Sequence, residues 1–206
     1  EVICEQYKGD VYSIDTREIS KVFTPDHKLL YYNDLKNKVK LNKIHEINRR
    51  SFRIPSVAEV PNKGVNMGDD HLRLLIWYIA DGRIDHGNCK VEFNFKKQRK
   101  IKALKELLER MGETYYCNSN FSDGTTSIRM YKTGKYGKWF FENFNSENRV
   151  IPGYLRNANK KQANIILDTY AITVGNYQNG KKYWVQISSV KKEEMDTLQE
   201  VFTRNG

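Results

Sequence analysis

The stretch LLIWYIADG at residues 74–82 constrains the fold more than any other part of the chain. Its first six residues are all apolar, so a helix built from them has no face suited to water and must be buried on more than one side. Asp81 then places a carboxylate at the carboxyl end of that helix, where the macrodipole disfavours negative charge. Such an acid needs a compensating cation, and a bound divalent ion such as Mg²⁺ is one. Gly82 lets the chain leave the helix sharply.

The chain also contains an internal repeat. Residues 90–112 align without gaps on residues 184–206, with apolar positions and the closing glycine matched: Val91 with Val185, Phe93 with Ile187, Leu104 with Leu198, Gly112 with Gly206. The segment NIILDTYAITVGN at 164–176 precedes the second copy and mirrors the apolar helix, with Gly175 in the place of Gly82. Helix, strand and helix repeated in one order predict two similar halves.

The elements between these segments mix helices and strands. The strand predicted at 89–95 alternates, with Val91, Phe93 and Phe95 on one face and polar residues on the other. An amphipathic helix is predicted over 96–112, then a hairpin around Ser122-Asp123-Gly124, then a short aromatic helix over 136–144. The sequence therefore predicts an α+β fold.

Two helix–strand–strand–helix units with an acid-ended apolar helix resemble the LAGLIDADG homing endonucleases, particularly those found within inteins. The resemblance covers about residues 68–206. It implies two pseudo-symmetric αββαββα halves, 66–150 and 151–206, whose motif helices pack together. The second half is expected to be truncated, because a hairpin and helix equivalent to 113–144 should follow Gly206.

The resemblance also implies an activity, the metal-dependent hydrolysis of DNA phosphodiesters in a mobile genetic element. By match to the motif, Asp81 is the expected ligand of Mg²⁺ or another divalent cation. Lys96, at the end of the strand 89–95, is the expected catalytic lysine, with Lys97 as the alternative. The position equivalent to Asp81 in the second half is Val174, which cannot bind a metal. Four alternatives stay open: a double-strand endonuclease, a nickase, a DNA-binding protein that no longer cleaves, or part of a protein-splicing intein.

Charge independently favours a nucleic-acid partner. The net charge is +10 and the sequence pI is about 9.4, which is typical of proteins that bind polyanions. Polar side chains on the predicted strands and at their ends carry donors and acceptors that suit the major groove. The expected contacts with double-stranded DNA are Lys90, Glu92, Asn94, Lys97, Arg129, Tyr131, Lys132, Gln186 and Ser188.

Residues 1–65 are expected to form a separate β-rich module. Within it, the segment Thr24-Pro25-Asp26-His27 resembles the TxxH block of the Hint domains of inteins. Cys4 lies only 23 residues before His27, too near for the usual nucleophile, so acyl-shift chemistry is not assigned. The module is either related to a splicing domain or an accessory DNA-binding module that uses the basic stretch 35–53.

Cysteine usage and hydropathy bear on the compartment. The three cysteines are odd in number and widely spaced, which favours a reducing, intracellular setting. Neither a signal peptide nor a membrane span is visible in the sequence. Because the two halves lie in one chain, we expect a monomer.

Overall fold

The computed structural model describes residues 6–15, 20–47, 52–55, 57–119, 122–144, 149–174, 176–177, 185–187 and 191–206. The chain divides into two compact units, Glu1–Ala58 and Glu59–Gly206. The predicted α+β class is confirmed, because the described residues form antiparallel sheets and five α-helices.

The first unit consists of short antiparallel strands. They are β1 (Tyr12–Asp15), β2 (Ser20–Phe23), β3 (Lys28–Asn33), β4 (Lys38–Lys43) and β5 (Phe52–Arg53). β1 pairs with β2, and β3 lies between β4 and β5 in a second sheet. A small core contains Leu29, Tyr31, Ile44 and Ile47. His27 lies in the turn between β2 and β3, where its ring packs on Phe23 at 5.0 Å between centroids.

The second unit begins with seven elements in the order α–β–β–α–β–β–α. They are α1 (Asp69–Asp81), β6 (Gly82–Asp85), β7 (Lys90–Phe95), α2 (Gln98–Arg110), β8 (Tyr115–Asn118), β9 (Thr126–Tyr131) and α3 (Lys135–Asn143). The four strands form one antiparallel sheet in the order β6-β7-β9-β8. Gly112 ends α2 with a φ of +65°, the left-handed conformation that glycine adopts most readily.

The rest of the second unit contains four more elements, which repeat the helix–strand–strand–helix order of α1, β6, β7 and α2. They are α4 (Lys160–Thr173), β10 (Asn176–Tyr177), β11 (Val185–Gln186) and α5 (Lys192–Thr203). α5 begins 94 residues after α2, which is the offset that aligns 184–206 with 90–112. α4 begins four residues before the predicted start at 164, because Asn159 and Gln162 form a capping box there.

The helix α1 is the centre of the core, as its composition predicted. Leu72 and all six residues from Leu74 to Ile79 are at most 3% exposed. α1 packs against α4, and it also contacts β6, β7 and α2. The ring of Tyr78 lies 4.6 Å from that of Phe140 on α3. An all-round apolar helix is thus enclosed on every side.

Pro55, Pro61 and Gly64 in the sequence predict a linker over about 54–68, but residues 59–67 are held to the second half by hydrogen bonds. The Val60 amide donates to the Arg204 carbonyl at 2.8 Å. The Gln162 side chain both donates to and accepts from the Val65 backbone, at 2.8 and 2.9 Å. This segment therefore belongs to the second unit.

Gly137 provides a test of how α3 packs on the sheet. A Cβ at this position would collide with the backbone carbonyl oxygen of Tyr131. We expect Gly137→Ala to lower the free energy of unfolding by about 1–3 kcal/mol, as overpacked sites do. Urea denaturation followed by circular dichroism measures the change. Gly153→Ala is the control, since no atom lies within 4 Å of its Cβ position; equal stability of the two variants would contradict the packing described.

Candidate nucleic-acid interface

One face of the four-stranded sheet carries a row of polar side chains. Strand register places Arg83 opposite Glu92, Glu92 opposite Arg129, and Arg129 opposite Tyr116. The other face packs into the core through Val91, Phe93, Ile128 and Met130, each 0% exposed. Because side chains alternate along a strand, the polar row and its neighbours face away from that core. Adjacent rows on this face contain Asp85, Lys90 and Tyr131 on one side and Asn94, Ser127 and Asn118 on the other.

Glu92 lies at the centre of this face, and its carboxylate is fully engaged. Its Oε2 accepts from Arg83 Nε at 3.0 Å and from Nη2 at 2.6 Å. Its Oε1 accepts from Arg129 Nε at 2.8 Å, from Ser127 Oγ at 2.9 Å and from Lys90 Nζ at 3.3 Å. The Glu92 side chain is only 4% exposed. The alternating pattern predicted an outward position for Glu92, but its cationic neighbours cover it.

These contacts explain the ionisation of Glu92. Burial raises the pKa of the carboxyl, but hydrogen bonds from Arg83, Ser127 and Arg129 and the charge of Lys90 outweigh it and lower the pKa to about 2. Glu92 is therefore ionised at neutral pH and holds several donors in one arrangement. We refer to Arg83, Lys90, Glu92, Ser127 and Arg129 as the Glu92 cluster.

Arg83 was not among the residues predicted from the sequence. It directly follows Gly82, and its side chain is 64% exposed, against 22% for Arg129. The signal that could have found it is its position directly after the motif helix, in the segment that forms β6 and pairs with β7. Of the three cations that contact the Glu92 carboxylate, Arg83 has the most exposed side chain.

The other expected contacts on this sheet differ in accessibility. The Lys90 side chain is 12% exposed, and its ammonium lies 3.6 Å from Asp85 as well as near Glu92. Asn94 and Tyr131 are exposed. Lys132 is also exposed, with its ammonium 5.4 Å from the centre of the Phe141 ring. Asn94 and Tyr131 are thus available to a ligand on the polar face, whereas Lys132 lies just beyond the end of β9 with its ammonium near α3.

Lys96 and Lys97 lie just beyond the end of β7 and are both exposed. The Lys96 ammonium is 3.2 Å from Asp123. Hydrogen bonds from Thr125 and Lys96 lower the pKa of Asp123 to about 2. Lys97 is the N-cap residue of α2. The lysine that contacts Asp81 is instead Lys100, one helical turn after Lys96.

Asp81 is the last residue of α1, and its carboxylate is paired within the protein. Lys100 Nζ donates to Asp81 Oδ2 at 2.8 Å, and the two side chains are 12% and 22% exposed. The same ammonium lies 5.5 Å from the centre of the Phe95 ring. Lys100 thus provides the compensating cation that an acid at a helix carboxyl end requires.

Two further cations lie at this end of α1. Arg149 Nη1 donates to the Gly82 carbonyl at 2.6 Å, and Lys191 Nζ donates to the Arg149 carbonyl at 2.7 Å. No pattern in the sequence connected Arg149 with Gly82, because 67 residues separate them. Lys100 at Asp81 and Arg149 at Gly82 thus bring positive charge to the carboxyl end of α1, and positive charge favours anions such as phosphate.

The second half has the same frame with different chemistry. Val174 follows the last helical residue of α4 and is 42% exposed. The repeat partner of Lys100 is Glu194, which is buried and accepts a hydrogen bond from Tyr170 Oη at 2.7 Å. Burial and this neighbouring carboxylate raise the pKa of Tyr170. Gln186 lies in β11 opposite Asn176, and Ser188 lies outside the described residues.

The fit of a divalent cation depends on Asp81. Within the described part of the chain, no group of three or more His, Cys, Asp and Glu side chains could hold a metal ion. Mg²⁺ commonly uses one or two protein carboxylates together with substrate phosphates and water. Asp81 fits such a one-carboxylate site provided that Lys100 gives up its contact.

None of the described helices has the length and apolar character to cross a membrane.

Comparisons with known proteins give no family assignment. The sequence matches no protein-family model and no curated protein. The function is therefore inferred from the internal repeat, the polar sheet face and the surroundings of Asp81.

Replacing Glu92 with Gln tests the charged network. The folded pKa of about 2 lies below the usual glutamate value of 4.5, so the stabilisation is fully present above about pH 4.5 and is lost as pH falls toward 2. The shift corresponds to a contribution on the order of 3 kcal/mol. We expect Glu92→Gln to unfold more easily at pH 7 and to show a flatter dependence of unfolding free energy on pH between 5 and 2.

Urea titrations at each pH measure this dependence. Glu142→Gln is the control, because Glu142 is 57% exposed and lies 3.8 Å from Lys138 on the same helix. It should leave the pH profile nearly unchanged. Parallel profiles for the wild-type protein and Glu92→Gln would contradict the role of Glu92 as a buried, ionised hub.

Proposed function

We propose that this chain is a site-specific double-stranded-DNA-binding protein of the LAGLIDADG homing-endonuclease type. The observation that carries the proposal is the αββαββα order of residues 69–143, in which an antiparallel sheet has one face in the core and one polar, cation-rich face. The helix–strand–strand–helix order of α4 to α5 adds a second, related half. Asp81 is the last residue of α1, the helix that packs against α4 of the second half.

The polar face has the chemistry that major-groove binding needs. Antiparallel strands can enter the major groove, where side-chain donors and acceptors meet base edges. The accessible groups on this face are amide, hydroxyl and guanidinium groups from Asn94, Tyr131 and Arg83. Lys97 and Lys132, which lie beyond the ends of β7 and β9 and are exposed, would contact phosphates. A long asymmetric target would follow from the differences between the two halves.

Cleavage is proposed at the Asp81 end of α1. Asp81 would hold Mg²⁺, which when bound supplies charge neutralisation and an activated water. The chain's own cations, Lys100 and Arg149, would attract the scissile phosphate to this point. Lys100 must release the Asp81 carboxylate for the metal to bind there.

A second candidate function is sequence-specific DNA binding without cleavage. The observations that favour it are the Asp81–Lys100 pair at 2.8 Å and the apolar side chain of Val174 at the end of α4. A link to an intein is a further proposal, supported by the TxxH segment that ends in His27 and by the β-rich first unit.

Binding to duplex DNA is expected to depend steeply on salt. Fluorescence anisotropy with a labelled 40-base-pair duplex, from 50 to 200 mM KCl, should give a linear fall of log K with log salt concentration. The slope is about −0.9 for each phosphate neutralised. Lys97→Gln should make the slope shallower by about one such contact. Lys102→Gln, on the outer side of α2 and 80% exposed, is the control and should not; salt-independent binding would contradict the proposal.

Cleavage is tested with a supercoiled plasmid that carries a duplex selected by the protein from a random pool. In Mg²⁺ we expect the wild-type protein to nick and Val174→Asp to linearise, because a second carboxylate is restored beside Asp81. Asp81→Asn should bind the plasmid and leave it uncut. Gel electrophoresis of supercoiled, nicked and linear forms measures the outcome. Binding without cutting by both the wild-type protein and Val174→Asp would support the second candidate, and cutting by Asp81→Asn would exclude the proposed site.

A further inference from the structure

We propose that Arg83 and Arg129 are a pre-positioned pair of guanine readers, and that Glu92 is the positioning residue that holds both. The inference rests on the proposed DNA-binding function and extends it to a particular base chemistry. It assigns base recognition to the two arginines on either side of Glu92, on β6 and β9.

The hydrogen bonds of the Glu92 cluster leave part of each guanidinium free for a ligand. Arg83 uses Nε and Nη2 on Glu92, and Arg129 uses Nε on Glu92 and Ser127. A guanidinium carries five N–H donors in a planar fork. Among the described residues, no acceptor is paired with Arg83 Nη1 or with either Nη of Arg129. Each arginine is thus anchored at one edge while donors remain at another.

Anchoring changes what an arginine can discriminate. A free arginine on the surface loses rotamer freedom when it binds, whereas here the Glu92 carboxylate restricts both guanidinium planes before DNA arrives. A fixed planar fork matches the O6 and N7 acceptors that guanine presents in the major groove. A pre-positioned arginine is therefore better suited to a base edge, whose recognition depends on geometry, than to a phosphate, whose attraction depends mainly on charge.

The charge balance of the cluster supports the same assignment. The carboxylate of Glu92 offsets part of the charge of the two arginines, which weakens their attraction to phosphate. Exposed lysines outside the row, Lys97 and Lys132, have no ion pair with a carboxylate among the described residues and suit the phosphate role better. Glu92 itself is a poor reader of cytosine, because its side chain is 4% exposed and both oxygens already accept hydrogen bonds.

The experiment selects preferred duplexes from a random pool with the wild-type protein and then measures affinities by anisotropy. The probes are the selected duplex and a set in which each G·C pair is changed to A·T. We expect two guanine positions at which the change weakens wild-type binding by about tenfold or more. Arg83→Lys should remove discrimination at one of them, and Arg129→Lys should remove it at the other.

The variant Glu92→Gln tests whether base discrimination depends on how Glu92 positions the two arginines, because both arginines remain present. It should reduce discrimination at both guanines while leaving the salt dependence of binding at least as steep, since neither arginine is removed and their charge is no longer offset. Because a buried substitution can impair folding, Arg83→Lys serves as the second variant, as its side chain is 64% exposed. Arg110→Lys is the matched control, because Arg110 pairs with Asp70 away from the sheet, and it should leave base preference intact.

The possible failures are distinguishable. If Arg83→Lys and Arg129→Lys weaken binding equally on every duplex, the two residues are phosphate contacts and the inference is overturned, while DNA binding stands. If the selected sites show no guanine at which these variants lose discrimination, the inference is likewise overturned. If the wild-type protein binds no duplex at all, the proposed function fails together with the inference.

Discussion

The enclosure of α1 is the constraint on which the second unit depends. A helix that is apolar on every side cannot lie on a surface, so other elements must cover all of it. α4 covers one side, while the sheet, α2 and α3 cover the others. Because the core face of the sheet is committed to this packing, the opposite face is left to polar side chains. The buried helix thereby determines both the core and the candidate interface.

The same constraint places Asp81. α1 ends at Asp81, whose carboxylate accepts a hydrogen bond from Lys100, and Arg149 donates to the carbonyl of the next residue, Gly82. In the second half the helix is followed directly by Val174, and the repeat partner of Lys100 is an acid, Glu194, which accepts a hydrogen bond from Tyr170. The two halves thus share a frame while differing in charge at equivalent positions. If the chain cleaves DNA as proposed, this difference predicts unequal cleavage of the two strands.

Local periodicity predicted most of the fold of the second unit. The apolar run at 74–79, the alternation at 89–95 and the amphipathic pattern after it correspond to α1, β7 and α2. The repeat predicted α4, β11 and α5 because matched apolar positions imply matched elements. The start of α4 was placed late, since the capping pair Asn159 and Gln162 precedes the apolar residues on which the prediction relied.

The site was harder to predict because it depends on pairing between distant segments. The alternating pattern predicted that Glu92 faces away from the core. Only the register of β6 and β9 with β7 shows that two arginines and Ser127 cover it. Likewise, Lys100 reaches Asp81 from a helix 19 residues later, and nothing in either local pattern indicates that contact. Side-chain partners across strands and helices are tertiary information that spacing along one segment does not contain.

The most direct measurement asks which surface of the protein touches DNA. A photoreactive benzophenone amino acid is introduced at Asn94, exposed on the polar sheet face, or at Lys102, exposed on α2, whose apolar side packs on the core. Each protein is irradiated with a labelled duplex at low salt, and crosslinked DNA is quantified on a denaturing gel. We expect a strong crosslink from position 94 and little from position 102. Equal yields, or a crosslink from position 102 alone, would contradict DNA binding by the polar face of the sheet.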